Sequence, residues 1–586
     1  MPFTPGARLG GYRHAFGAAF ALLVTVTGSA CIATTDAPPA DSRLTTLSIV
    51  GTNDLHGAVL PVEGRGGLAL LGAYVDNLRA ARAREHGAVL LIDAGDMWQG
   101  TLESNVSEGA AVVAAYNALG YTAAAVGNHE FDFGPMGPAP TPATPTDDPR
   151  GALKARAAEA AFPMLAANLI DTSTRAPVDW PNVKPAALVD AAGVKVGIIG
   201  VMTAVALQAT AAANARGLTV APLADTIISQ AGRLRADGAT VVIVTAHAGG
   251  RCTRFDDPAD LSSCNPSSEI FNVARGLPQG LVDVIVAGHV HAGMSHEVNG
   301  IAIISSFTGG RAFGRVDLIV DRATGMRVNR RIFAPRDLCE RETAAGTCAA
   351  DADAGRTRVE AEYEGAPVRP AARVAASLAP AVRAVADLKA TPLGLLLDTP
   401  LPRGSNESAI GNLFTDAMRE SVPGADVALH NVVGGLRADL PAGPLTYGRL
   451  YEVFPFDNRV VALTLTGAEL RRVLARQLQP GPATVGISGI RVQTRCAEGS
   501  LVVTVRTATG EAIADGRRVL VATTDFLATG GDGILTSVTP AQGFALPDAA
   551  PLLRDIVADW VRRRGGRLRA EQLIDPERPR WAVEAC

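Results

Sequence analysis

Residues 284–293 read VIVAGHVHAG: an apolar run, then a glycine, then two histidines one residue apart. The chain has only nine histidines in 586 residues, so two at the mouth of one buried strand ask for an explanation. In an extended segment, side chains two apart share a face. That predicts His289 and His291 projecting side by side from the strand's carboxyl end. Histidines on the surface after a strand are common, and this stretch alone does not separate a surface pair from a binding pair. The rest of the chain does.

Working outward, the same ending recurs. Candidate strands are TTLSIVGTND (45–54), AVLLIDAGD (88–96), YTAAAVGNHE (121–130), VKVGIIGVMT (194–203), TVVIVTAHAG (240–249) and VDVIVAGHVH (282–291). The first ends in Asp54 and His56, again two apart. The second gives Asp96, the third Asn128, His129 and, two residues past it, Asp132, and the fifth His247. Five of the nine histidines thus sit just past an apolar run. One such histidine is more often structural than a ligand. So many together, each beside a glycine or alanine that lets the backbone approach a ligand, are hard to explain as packing. In open α/β sheets, sites form at the carboxyl ends of strands. Metal binding is the reading.

The strand runs are apolar on both faces and alternate with Ala-rich helical stretches such as 68–86. They predict an α/β fold: layered β-sheet with flanking helices over residues 45–349. PMGPAPTPATPTDDP (135–149) is too proline-rich for a regular element and reads as a surface insertion. Residues 350–390 read as a linker, partly helical and interrupted by Pro367, Pro370 and Pro380. From 391 to 586 a second, smaller α/β domain follows: helix AIGNLFTDAMRE, strand ADVALHN, helix TGAELRRVLARQL, and strands LVVTVRT and RVLVATTDF.

Composition is that of a globular protein, 47% hydrophobic and 19% charged with net charge −4, and it offers no basic face for a nucleic acid polymer. Residues 1–30 read as an export signal: Arg8 and Arg13, the apolar core AFGAAFALLVTV, and the small-residue region GSAC. Residues 31–44 then form a flexible leader. Cleavage after Ala30 gives a soluble periplasmic or extracellular product, whereas a lipid on Cys31 would anchor it to a membrane. The other six cysteines suit an oxidising compartment. Closeness in sequence favours Cys252–Cys264 and Cys339–Cys348, leaving Cys496–Cys586, although six cysteines allow fifteen pairings.

The order D-x-H, G-D, G-N-H-E, H, G-H-x-H resembles the metallophosphoesterase superfamily. The resemblance implies a centre of two divalent ions, zinc, manganese or similar. Asp54, His56 and His291 would hold one; Asn128, His247 and His289 the other; Asp96 would bridge them. Two such ions clamp the oxygens of an in-line displacement at phosphorus. His129 is then free to act on the phosphate and leaving group, with Asp132 orienting it, and Glu130 is a local hydrogen-bond partner.

The second half resembles the substrate domain of bacterial 5′-nucleotidases through NESAIGNLFTDAMR, HNVVGGLR, YEVFPFDNRVVALTLTG and TTDFLATGGDG. The resemblance implies a nucleotide substrate. Arg403 and Arg437 would hold phosphate oxygens, and Phe456 and Phe526 would sandwich the base. Asp532 would accept from ribose hydroxyls, and Asn431 would contact base or sugar. The interval from Asn431 to Arg437 is one residue longer than is usual in that family. The implied reaction is removal of the 5′-phosphate. Alternatives on the same scaffold are a 2′,3′-cyclic-nucleotide phosphodiesterase, a nucleotide-sugar diphosphatase and, of another class, a catalytically silent nucleotide-binding surface protein.

Overall fold

The computed structural model describes residues 43–584 except 344–345, 350–357, 405, 479–482, 498–499, 542, 545 and 547–549. The expected signal segment, Cys31 and Cys586 lie outside the described residues.

Two mixed sheets carry the first half. One has seven strands, in the order Arg327–Asp337, Ala312–Asp321, Leu44–Thr52, Ala88–Asp93, Ala123–Ala125, Met164–Leu165 and Val183–Lys184. The other has six: Gly293–Val298, Ile301–Ser306, Val284–Ala287, Val241–His247, Val194–Met202 and Ala186–Ala191. The central pairs are parallel in both, which demands crossovers. The helices Leu68–Arg84 and Leu223–Ala236 supply two of them.

Alternation along each strand explains the double-sided apolar pattern. Ile49, Leu90 and Ile92 meet Ile198, Ile243, Val286 and Ile304 in a core between the sheets. Val50 and Leu91 point outward to the helices Leu68–Arg84 and Ala110–Leu119, while Val242, Val244 and Ile285 face Leu223–Ala236 and Glu269–Gly276. The layers run helix, sheet, sheet, helix. Glycines let the sheets approach: a methyl group on Gly51 would stand 2.7 Å from Val286, and one on Gly200 2.1 Å from Leu165.

Residues 372–390 form a single helix despite Pro380. It lies on the first half, with Val374 and Leu378 buried in that half's outer core. The second half centres on a four-stranded sheet, in the order Val460–Thr466, Arg518–Thr524, Val427–Asn431 and Val485–Ser488, accompanied by two three-stranded sheets. Its two faces have separate cores, one with the helices Ala409–Ser421 and Leu553–Arg563, the other with Gly467–Arg476. That last helix starts where Thr466 and Glu469 form a capping box. The disulfides Cys252–Cys264 and Cys339–Cys348 are formed. The third expected pair involves Cys586, outside the described residues.

Candidate functional site

His247 is the last residue of its strand, Val241–His247, whereas other strands stop short of the residues that carry the chemistry. Leu44–Thr52 ends two residues before Asp54, and Val284–Ala287 ends two before His289. Beyond those ends the backbone turns left-handed: φ is 49° at Asp54, 50° at His56, 59° at Asp96, 73° at His289 and 57° at His291. Such conformations cost roughly 1–3 kcal/mol each and cluster at functional sites. They also correct the expectation of an extended pair sharing one face. His291 gathers with Asp54, His56 and Asp96, whereas His289 gathers with Asp96 and His247. The left-handed turns send neighbouring histidines to different groups, and Asp96 belongs to both.

Hydrogen bonds fix the donor set. His56 Nδ1 donates to the Gln99 carbonyl at 3.0 Å and His247 Nδ1 to the Ala94 carbonyl at 2.8 Å. A carbonyl only accepts, so in each neutral ring Nε2 carries the lone pair. His56 Nε2 faces His291 Nε2 at 2.9 Å. His247 Nε2 faces Asn128 Oδ1 at 3.0 Å and Asp96 Oδ2 at 3.2 Å. Three acceptors meet at that point, and only a positive species, a proton or a metal cation, reconciles them. Burial opposes charge on both partners, yet Asp96 lifts the His247 imidazolium to about 10, and His247 holds Asp96 well below the usual carboxylate range. Burial keeps His56 neutral, and pushes His289 down to about 4. Imidazole, carboxylate and amide donors in two groups sharing one carboxylate fit two borderline divalent ions.

The surroundings hold these donors in place. Glu130, fully buried, accepts the backbone N–H groups of Gly127, Met97 and Asp96 at 2.7, 2.8 and 2.9 Å, and burial raises its carboxyl to about 8. A methyl group on Gly127 would stand 2.3 Å from Asp96 Oδ1. Only glycine fits there.

His129 sits above the donors. Its Nδ1 is 2.6 Å from Asp132 Oδ2, and its Nε2 is 2.8 Å from Arg437 Nη2. Burial disfavours its charge, but Asp132 and Asp96 outweigh that and raise it. The Arg437 guanidinium also stands 5.3 Å from the Phe456 ring. This arginine from the second half therefore meets the catalytic candidate of the first. Asn431 donates to Asp532 Oδ2 at 2.7 Å, and the backbone between Asn431 and Arg437 kinks at Val433 and Gly434. Arg403, Asn431, Arg437, Phe456, Phe526 and Asp532 all line one cavity of about 2280 Å³ together with His56, Asp96, Asn128, His129, Asp132, His289 and His291. Asp54 and His247 lie fully buried behind it. Arg403 is the outlying member, paired with Asp439 at 3.2 Å and half exposed. No ring contact joins Phe456 and Phe526 among the described residues. The Pro-rich segment forms part of the wall through residues 137–143.

Residues 47–293 match the model of the calcineurin-like phosphoesterase family, and residues 388–539 that of the 5′-nucleotidase C-terminal domain. The chain belongs to the 5′-nucleotidase family of metallophosphoesterases. It is thereby a metal-dependent phosphoric ester hydrolase. The 5′-nucleotidase precursor of Thermus thermophilus shares its fold, with a TM-score of 0.70 at 24% identity over 92% of this chain and all of that one. Protein UshA of Yersinia enterocolitica is 26% identical over 83% of this chain and 86% of its own length. Endonuclease YhcR of Bacillus subtilis is 26% identical over 74% of this chain, which spans only 33% of that relative.

In this chain, sequence reasoning reaches the features with local signatures. It did not reach Asn53, whose amide donates to Asp54 at 2.6 Å and to the Phe307 carbonyl at 2.7 Å. Nor did it reach Gln99 and Asn105, whose partners lie some 350 residues away in the second half. No periodicity or motif marks such long-range hydrogen bonds.

Proposed function

We propose that the chain removes the 5′-phosphate of nucleotides, giving nucleoside and orthophosphate. The observation that carries the reading is the 2.8 Å approach of Arg437 to His129 above the metal-donor groups. A phosphoryl group entering there meets a guanidinium suited to its oxygens and an imidazole beside its leaving group. Two divalent ions in the donor groups would supply charge for the phosphoryl oxygens and an acidified water as nucleophile. Nδ1–H of His129 donates to Asp132 and Nε2 accepts from Arg437. Once a phosphoryl group draws the guanidinium to its own oxygens, Nε2 is free to carry a proton, with Asp132 stabilising the imidazolium, and to pass it to the departing ribose oxygen. Phe456 and Phe526 offer faces to the base, and Asp532, placed by Asn431, accepts from ribose hydroxyls.

The second reading, a 2′,3′-cyclic phosphodiesterase or nucleotide-sugar diphosphatase, draws support from the cavity. Its roughly 2280 Å³ exceeds the ~300–1,000 Å³ that one small ligand commonly fills. The complete donor set disfavours a silent binding protein. Export is supported by the signal-like start and the two disulfides. Among the described residues, no helix is long and apolar enough to cross a membrane; a lipid on Cys31 would anchor the chain to one.

The test is phosphate release by the mature protein from 5′-AMP, a 2′,3′-cyclic nucleotide and UDP-glucose, with chelator and with Mn²⁺ or Zn²⁺ restored. Metal-dependent turnover of AMP, reduced ~10²–10⁴-fold in His129→Ala as loss of a general acid requires, is the expected result. Turnover of only the diester or the sugar nucleotide moves the function to the second reading. No turnover by protein carrying two metals overturns both.

A further inference from the structure

We infer that Gln99 is a positioning residue that sets the nucleobase side of the cleft against the metal side. The inference rests on the nucleotide reading above.

Gln99 is 2% exposed and does two things at once. Its main-chain carbonyl accepts from His56 Nδ1 at 3.0 Å, fixing the tautomer of a candidate ligand. Its side-chain Nε2 donates to the Pro455 carbonyl at 2.9 Å, in the other half of the molecule. The carbonyl can only accept, so the amide nitrogen must face it. Oε1 is then left buried without a hydrogen-bond partner among the described residues, an arrangement that stability alone does not favour. Asn105 adds a second bond to the same carbonyl at 3.2 Å and another to the Tyr451 hydroxyl at 2.8 Å, while its own Oδ1 accepts from Gly100 N at 3.0 Å.

The segment these residues grip carries Phe456. Arg554, from the same half as Phe456, donates to the Phe454 and Phe456 carbonyls, and the carbonyl between them belongs to Gln99 and Asn105. Three successive carbonyls are thus held, the outer two from within the second half and the middle one from the first. The Phe456 ring lies 6.0 Å from that of His129. Replacing the Gln99 side chain leaves its carbonyl on His56 and removes one of the two first-half bonds on Pro455, loosening the segment of Phe456 that Asn105 and Arg554 still hold. The consequence falls on binding of the base and leaves the phosphoryl chemistry in place.

Gln99→Met keeps the shape and removes the donor; Gln99→Glu turns a carboxylate toward the Pro455 carbonyl. Both are assayed as metal-loaded, full-length mature enzyme on 5′-AMP and on p-nitrophenyl phosphate, which has neither base nor ribose. The expected result is a KM for AMP raised about tenfold, the scale of one lost hydrogen bond. Turnover of AMP, kcat/KM for the aryl phosphate and metal content by elemental analysis stay at the parent's values. Equal losses on both substrates, or lost metal, would assign Gln99 to the metal centre or the fold and overturn the inference. So would an unchanged KM. Asn105→Leu, which removes the second donor to the same carbonyl, gives a smaller shift of the same kind and serves if the Gln99 variants fail to fold. A parent enzyme that cleaves the aryl phosphate but not AMP defeats the nucleotide reading itself, and that outcome is read from the parent alone, before any variant is compared with it.

Discussion

His247 and His430 occupy the same kind of place in the two halves. Each stands at the end of a buried strand, after VVIVTA in one and VAL in the other, and each is fully buried. Their chemistry is opposite. His247 has a carbonyl on one nitrogen and faces Asp96 and Asn128 with the other, and Asp96 overcomes burial to raise it to about 10. His430 has no hydrogen-bond partner on either nitrogen among the described residues. Its ring is stacked on Phe414 at 6.0 Å and set edge-on to Phe454 at 5.4 Å, and burial pushes it down to about 3. The strand context is shared, so the difference comes from what neighbouring strands deliver. In the first half, parallel strands bring several polar-tipped ends to one edge. In the second, a helix and a loop bring phenyl rings.

The largest effect should come from removing the shared carboxylate. Asp96→Asn takes the one donor common to both metal groups and the charge that distinguishes His247 from His430. Metal content should fall, and kcat/KM should drop by about 10³-fold or more, near 4 kcal/mol, with elemental analysis and phosphate release as the measures. Retention of two metals per chain and of activity would show that Asp96 bridges nothing. A gentler perturbation is Gly127→Ala. The added methyl meets Asp96 Oδ1 at 2.3 Å and Asp96 N at 2.6 Å, so the carboxylate must shift. A displacement of that size at a metal donor should lower metal affinity roughly 10–100-fold, read by competition with a chelator of known affinity, while thermal stability of the metal-free protein changes less.

The comparison also marks what the sequence makes legible. Asp54, His56, Asp96, Asn128, His129, His247, His289 and His291 are readable as a set because each lies within a few residues of an apolar strand, and strand ends in parallel sheets converge. The geometry that makes them converge is not readable. Alternation along an extended chain predicted shared faces for residues two apart, and the left-handed φ values at Asp54, His56, His289 and His291 break that alternation. His430, inside the strand Val427–Asn431, is not one of the five histidines read as strand-end ligands, and its phenyl neighbours make it a core residue. Residues 350–390 read as a partly helical linker interrupted by three prolines; the helix 372–390 runs on through Pro380, and Val374 and Leu378 give it a buried stripe that the prolines mask in the sequence. Contacts between halves, such as Gln99 with Pro455, depend on how two cores distant in sequence meet, which no local pattern encodes.

The smallest effect isolates His430 and concerns pH. Its imidazole titrates at about 3 in the folded chain, and burial is the cause; unfolded, it titrates near ~6.5. Above that value both states are neutral at this site and it contributes nothing to the pH dependence. Below it the unfolded chain binds a proton that the folded chain refuses, so stability falls as pH falls, by about 1.4 kcal/mol per unit down to the folded value. Between pH 7.5 and 5 this amounts to about 2 kcal/mol. His430→Phe keeps a ring between Phe414 and Phe454 and removes both unpartnered nitrogens, so it should be no less stable at pH 7.5. The loss on going to pH 5 should shrink by that ~2 kcal/mol relative to the parent. Urea unfolding of both proteins at both pH values, in chelator, measures the difference between differences, in which the carboxylates common to the two chains cancel. Equal losses would mean that His430 takes up a proton within the folded core, and the contrast with His247 would then lie in partners alone and not in charge.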